Sequence, residues 1–114
     1  MYMAASPVPI YTYCVGMCAS AESMLFLGGH KRYIYPGSWL MFHDAWMFSY
    51  ASDGEDHRRQ ADWHEKLDEE AVDFIHARTG LDKTLIKDEC SKDNWWISSS
   101  DAVKQGFATH LGDE

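Results

Sequence analysis

Charge and aromatic side chains divide this chain into two unlike halves. Residues 1–52 hold two basic residues, Lys31 and Arg32, two acidic ones, Glu22 and Asp44, and 11 of the 16 aromatics. Residues 53–114 hold 8 basic and 16 acidic residues, so the whole net charge of −8 lies there. A neutral, aromatic half is expected to form the core or a buried interface, and an acidic half a solvated helical part. The 114 residues make one small domain, 1–114, rather than two. An aromatic content of 14% argues against disorder. A surplus of acidic groups argues against nucleic acid as a ligand, because binding it needs clustered positive charge. Apolar runs break within about ten residues, short of the roughly 20 that span a bilayer, so no membrane partner is expected. No basic start followed by an apolar segment and a cleavage site is present, and no secretory leader is expected. Cys14, Cys18 and Cys90 cannot all pair and match no zinc or thioredoxin spacing, which suits a reducing, cytoplasmic setting.

The order of elements predicts an α/β fold. Pro7 and Pro9 exclude a helix at the start, and Ile10 to Val15 is β-branched and aromatic, a strand ended by Gly16. Small and then apolar residues from Cys18 to Leu27, closed by Gly28-Gly29, predict a short buried helix. Arg32 to Tyr35 and Trp39 to His43 read as strands on either side of a Pro36-Gly37 turn. A long helix over about 55–79 carries Trp63, Leu67, Ala71, Phe74 and Ile75 on one face and Asp62, Glu65, Glu69 and Asp73 on the other. Thr79-Gly80 ends it. A shorter helix follows over 81–90, then an aromatic segment, Trp95-Trp96-Ile97. A serine from Ser98-Ser99-Ser100 caps a last helix that stops at Gly106.

Two places could carry chemistry. Gly16-Met17-Cys18-Ala19-Ser20-Ala21 sets a serine after a strand, in a tight turn at the start of a helix, where backbone N–H groups can meet a developing oxyanion. A capping or packing serine explains the same pattern. His43 ends an apolar strand and is followed by Asp44, and strand ends are where α/β folds hold working side chains. A serine at a helix start and a histidine at a nearby strand end together suggest acyl transfer. His64 and Asp68, four apart on the long helix, could hold a surface metal ion, but a solvated helix face accounts for them without one, and no metal is expected.

These residues resemble the ClpP-type serine peptidases, the proteolytic subunits of ATP-dependent Clp proteases. Tyr13 to Ala21 is similar to that family's nucleophile segment, Gly-x-Ala-x-Ser, with Cys18 in place of Ala. Lys31-Arg32, Pro36-Gly37-Ser38 and Met41-Phe42-His43 match its Lys-Arg, Pro-Asn-Ser and Met-Ile-His stretches. Ala77-Arg78-Thr79-Gly80 resembles the end of its handle helix. Trp96-Ile97-Ser98 and Asp101 to Phe107 resemble its Met-Ser, Glu-Ala and Gly-Leu stretch. The likeness runs from Pro7 to Leu111.

The resemblance implies a ClpP/crotonase-like fold made of a nucleophile and histidine part over 7–50, a handle helix and a C-terminal part over 81–114. It implies a serine endopeptidase with Ser20 as nucleophile, His43 as general base and Ala21 N–H as oxyanion donor. The family's triad aspartate falls on Asn94, with Asp93 beside it as the other candidate. Thr109 stands where the family commonly has an aspartate. The chain starts at about the family's strand before the nucleophile, so the glycine pair that donates to the oxyanion is expected to be missing, leaving an open sheet edge. The implied partners are copies of the chain in a ring or two stacked heptamers, or a mixed ring with a full-length ClpP, together with a Clp ATPase unfoldase. The substrate is peptide or unfolded protein, and no cofactor is implied. A catalytically weak or inactive subunit that modulates a full-length Clp protease is the rival reading. A crotonase-like acyl-CoA enzyme fits the Ser20 and His43 motifs less well.

Overall fold

A computed structural model describes residues 5–43, 54–92 and 94–112, with side chains from residue 66 onward in the long helix. The elements run β1 (Tyr11–Cys14), β2 (Met17–Ala19), α1 (Ala21–Leu27), β3 (Lys31–Ile34), β4 (Trp39–Phe42), α2 (Gly54–Thr79), α3 (Lys83–Lys92), β5 (Trp95–Ser98), α4 (Ser99–Lys104) and β6 (His110–Leu111). They form two small sheets. One is parallel, in the order β1-β3-β6; the other has the order β2-β4-β5, with β2 parallel and β5 antiparallel to β4.

The two sheets share their long strands. β1 and β2 are one extended run broken at Gly16, whose φ of 92° is open to glycine at little cost. β3 and β4 are separated by the turn at Tyr35–Ser38, closed by Ser38 N–H donating to Tyr35 O at 3.0 Å. Pairing continues through the break: Tyr35 N–H donates to Cys14 O at 3.1 Å, Trp39 N–H to Gly16 O at 2.9 Å, and Gly16 N–H to the buried Ser38 hydroxyl at 2.9 Å. The expected helix from Cys18 therefore starts later. Met17–Ala19 stays extended because β4 supplies its partners, and helix begins only at Ala21.

The core draws on both halves of the chain, against the expectation that the first would supply it. Cys14, Phe26, Leu27, Ile34, Leu40 and Phe42 pack with Val72 and Ile75 of α2, Ile86 and Cys90 of α3, Ile97, Ala102 and Phe107. Phe42, Trp95 and Phe107 form an aromatic triangle with centroid separations of 5.3 to 6.1 Å. An amphipathic helix needs only a narrow apolar stripe to contribute a core, so high net charge in the second half did not keep it out. The buried stripe of α2 centres on Val72 and Ile75, with Leu67, Ala71 and Phe74 only half-buried; the Trp63 side chain lies outside the described residues. The aromatic first half, in turn, leaves Tyr11, Tyr13, Val15, Met17 and Trp39 exposed on the outer face of the sheets.

Two arginines tie the ends of the elements together. Arg32, 6% exposed, donates to the carbonyl oxygens of Gly29, Gly106 and Phe107 at 2.7 to 3.1 Å, and Arg78 donates from Nε to Leu27 O at 2.8 Å. Burial, and then the nearby Arg78 charge, hold the Arg32 guanidinium down to about 10. Thr109 joins the same seam, its hydroxyl accepting from Arg32 N–H at 2.7 Å. Among the described residues no helix is long and apolar enough to cross a membrane.

Candidate active site

Ser20 fills the single-residue gap between β2 and α1. Its backbone has φ 59° and ψ −115°, and it is the one non-glycine residue with positive φ among those described. That conformation costs an L-residue about 1–3 kcal/mol and persists only where the surroundings enforce it. Here they do so from both sides. Ser20 N–H donates to Met41 O at 2.8 Å, and Met24 N–H donates to Ser20 O at 3.2 Å. Ser23, fully buried one turn along, has its hydroxyl 2.6 Å from Cys18 O and 2.8 Å from Met41 O, and accepts from Met41 N–H at 3.3 Å. The start of α1 is thus fastened to β2 and β4 together. The Ser20 hydroxyl makes no capping bond, so the fold leaves it available for chemistry.

His43 lies one residue past β4 and is half-buried. It and Ser20 line the same cavity, of about 190 Å³. Ser20, Ala21 and Met24 form one side, Phe42 and His43 another, Asp68, Ala71, Val72 and Ile75 a third from α2, and Cys90 of α3 closes it. Ala21 is the first residue of α1, a position whose N–H has no acceptor within the helix.

Asn94 is exposed and does not line this cavity. β4 and β5 pair antiparallel, and the ladder ends with Phe42 opposite Trp95; His43 follows that last pair on one strand and Asn94 precedes it on the other. Asp93, the other candidate, lies outside the described residues.

Cys14, two strand positions before the break, is no competitor as a nucleophile. Its thiol is buried and donates to Trp39 O at 3.7 Å; burial, and then the Cys18 side chain, push it up to about 12. At neutral pH it stays protonated and inert. Among the described residues no three His, Cys, Asp or Glu side chains converge as a metal ion would require, and the His64 side chain is not among them.

Sequence reasoning missed Asp68 and Ser23 as parts of this site. For Asp68 the signal was present: it precedes Ala71, Val72 and Ile75 by three, four and seven residues, which places it on their face. Pairing it with His64 as a surface group drew it to the wrong side. Ser23 had no such signal, because its role depends on the turn at Ser20.

The arrangement is a serine in a strained strand-to-helix turn, with a histidine across a small apolar cavity. A sharp, strained strand-to-helix turn likewise exposes the nucleophilic serine hydroxyl of α/β-hydrolases. Comparison with known proteins agrees: the family model described as Clp protease matches residues 1–114. This chain belongs to the Clp protease family. Curated relatives named ATP-dependent Clp protease proteolytic subunit include one from Deinococcus radiodurans, 30% identical over 108 residues, covering 93% of this chain and 52% of the relative. Another, from Acorus calamus, is 26% identical over 110 residues, covering 95% of this chain and 54% of its own length. A Salinibacter ruber protein named as proteolytic subunit 1 is 31% identical over 110 residues, 93% of this chain and 46% of the relative. The Clp-family chain spans about half the length of the curated relatives it matches.

Proposed function

We propose that this chain is a serine endopeptidase subunit of the Clp type, with Ser20 as nucleophile and His43 as its base. The Ser20 conformation carries the reading: a fold that holds a non-glycine residue at φ 59° and spares its hydroxyl from capping favours a chemical role over a structural one. In acylation the Ser20 oxygen attacks the peptide carbonyl while His43 takes its proton. The carbonyl oxygen becomes an oxyanion that the Ala21 N–H can meet. His43 then gives the proton to the leaving amine, and a water repeats the sequence to release the acyl group. Asn94, which adjoins the same end of the β4–β5 ladder as His43, is our candidate to orient the imidazole through its side-chain oxygen, with Asp93 the alternative; an asparagine adds no charge to stabilise the imidazolium.

The reading extends to assembly. A ring of copies, alone or mixed with a full-length ClpP, would cover the outer sheet face that exposes Tyr11, Tyr13, Val15, Met17 and Trp39. A Clp ATPase would deliver unfolded protein to it. A modulating subunit with little activity is the second reading, favoured by the neutral Asn94 at the orienting position. A fluorophosphonate probe separates the two: rapid labelling that is lost in Ser20→Ala supports the peptidase, and labelling no faster than that of free serine supports the modulator.

A further inference from the structure

We infer that Ser23 is a positioning residue for the reaction: its buried hydroxyl holds the turn at Ser20 against the strand that leads to His43. The inference rests on the peptidase reading above and extends it to a side chain that meets no substrate. Ser23 is fully buried and is absent from the cavity wall. Its hydroxyl lies 2.6 Å from Cys18 O and 2.8 Å from Met41 O, and accepts from Met41 N–H at 3.3 Å. Where a helical serine bonds the backbone, its usual acceptor is the carbonyl three or four residues back. Ser23 instead reaches five residues back, to β2, and eighteen on, to β4. α1 has seven residues, too few to hold together alone, so its first turn takes its place from such ties to the sheet.

The Met41 peptide is where this tie bears on catalysis. Its carbonyl oxygen accepts Ser20 N–H at 2.8 Å and also faces the Ser23 hydroxyl, so both serines are fixed on one group. Met41 stands opposite Ala19 in the parallel pair and two residues before His43. Any shift between α1 and β4 at this point therefore changes the place of the nucleophile relative to its base. Ser20 holds φ 59° only while its surroundings enforce it, and Ser23 ties both of the strands beside it. With alanine at position 23 the space is nearly filled, but neither oxygen meets a hydroxyl. The turn is then expected to relax.

The test compares Ser23→Ala with Ser98→Ala, which loses a helix cap off the cavity wall. For Ser23→Ala, kcat on a fluorogenic peptide and the rate of fluorophosphonate labelling are expected to fall roughly 10- to 100-fold, the scale of a misplacement of about 1 Å. KM should hold, so that kcat/KM falls by the same factor. Ser98→Ala should keep its kcat although it too loses stability. Ser23→Cys, of similar size but a weak donor, should behave like Ser23→Ala, and it stands in for the alanine variant if that chain does not fold. Unchanged kcat and labelling in the folded variant overturn the inference. So does a raised KM at constant kcat, which would make Ser23 a substrate contact, or an equal loss in Ser98→Ala, which would make stability the cause. A crystal structure of Ser23→Ala gives a readout without turnover: Ser20 is expected to leave positive φ, and a value kept near 59° overturns the inference. An unaltered chain that neither labels nor cleaves, with Ser20 relaxed in Ser23→Ala, fails the peptidase reading and keeps the hold of Ser23 on the turn. Labelling of the unaltered chain with φ kept in the variant does the reverse.

Discussion

Ser20 and Ser98 both stand where a strand gives way to the helix that follows it, each immediately before the helix's first residue. Ser98 is relaxed, with φ −70° and ψ 164°, and its hydroxyl accepts from Asp101 N–H at 3.3 Å, capping α4. Ser20 is strained at φ 59° and caps nothing. The same residue type in the same local pattern thus caps a helix at one junction and leaves its hydroxyl out of the cap at the other. Backbone conformation separates the two, and composition does not.

Substituting the two serines should therefore have opposite consequences. Ser20→Ala is expected to abolish probe labelling and lower peptide hydrolysis by orders of magnitude, since loss of a serine nucleophile costs about 10⁶ in the best-measured case. Ser98→Ala should leave labelling intact; equal labelling of Ser20→Ala and the unaltered chain would place the nucleophile elsewhere.

A smaller change is expected at the proposed orienting position. If Asn94 orients His43 as proposed, Asn94→Asp supplies the missing negative charge and should raise kcat by about tenfold or more, a part of the roughly 10⁴ that the reverse change costs in a worked serine protease. Rates measured from pH 6 to 9 check this. If Asn94→Asp is neutral and Asp93→Ala is damaging, the third member is Asp93.

Stability should separate the serines by about a kilocalorie. Ser98→Ala loses a helix cap and is expected to cost about 1 kcal/mol. Ser20→Gly removes activity but relieves a strained φ, and should gain about 1 kcal/mol. Denaturant unfolding of both variants measures the pair, and a destabilised Ser20→Gly would mean that the turn is not strained.

The weakest expected effect at neutral pH concerns Cys14, on the strand leading to Ser20. Its folded value of about 12 lies above the ordinary 9.0, so the folded chain holds the proton more tightly than the unfolded one. This contribution is complete below pH 9 and is lost as the pH rises from there towards 12. Unfolding measured from pH 8 to 11 should show a decline that Cys14→Ala lacks. Rapid alkylation of Cys14 in the folded chain at pH 8 would contradict its burial.

Features set by neighbours in sequence were legible in advance. The Pro36-Gly37 turn, the stop at Gly80 with its φ of 83°, and the serine cap of α4 depend on one to four adjacent residues, and all three are present. Ser20 and His43 were candidates from local pattern, but their roles as nucleophile and base rested on family resemblance, because a lone serine at a helix start reads equally well as a cap. What local pattern could not supply was set across the fold. Met17–Ala19 is extended because β4 lies beside it, β6 is two residues long, and Arg32 finds two of its acceptors some 75 residues away. Asp68 is the intermediate case, with correct spacing and a misjudged face.

The span of the Arg32 contacts sets an order of events. Its bonds to Gly106 and Phe107 join positions 74 and 75 apart, and β6 completes β3 over a similar distance. Closing so long a loop is entropically expensive, and such contacts tend to form after the local ones. During synthesis β1, α1, β3 and β4 leave the ribosome well before the segment that neutralises the demands of the Arg32 guanidinium. Until it arrives, a charged group destined for the interior stays in water and keeps that end of β3 open. Arg32→Leu should accordingly speed unfolding while changing the folding rate little; a slowed folding arm would show that the seam closes early. On that expectation Arg32 is a latch that closes last, committing the first half of the chain to its fold only once the final strand is in hand.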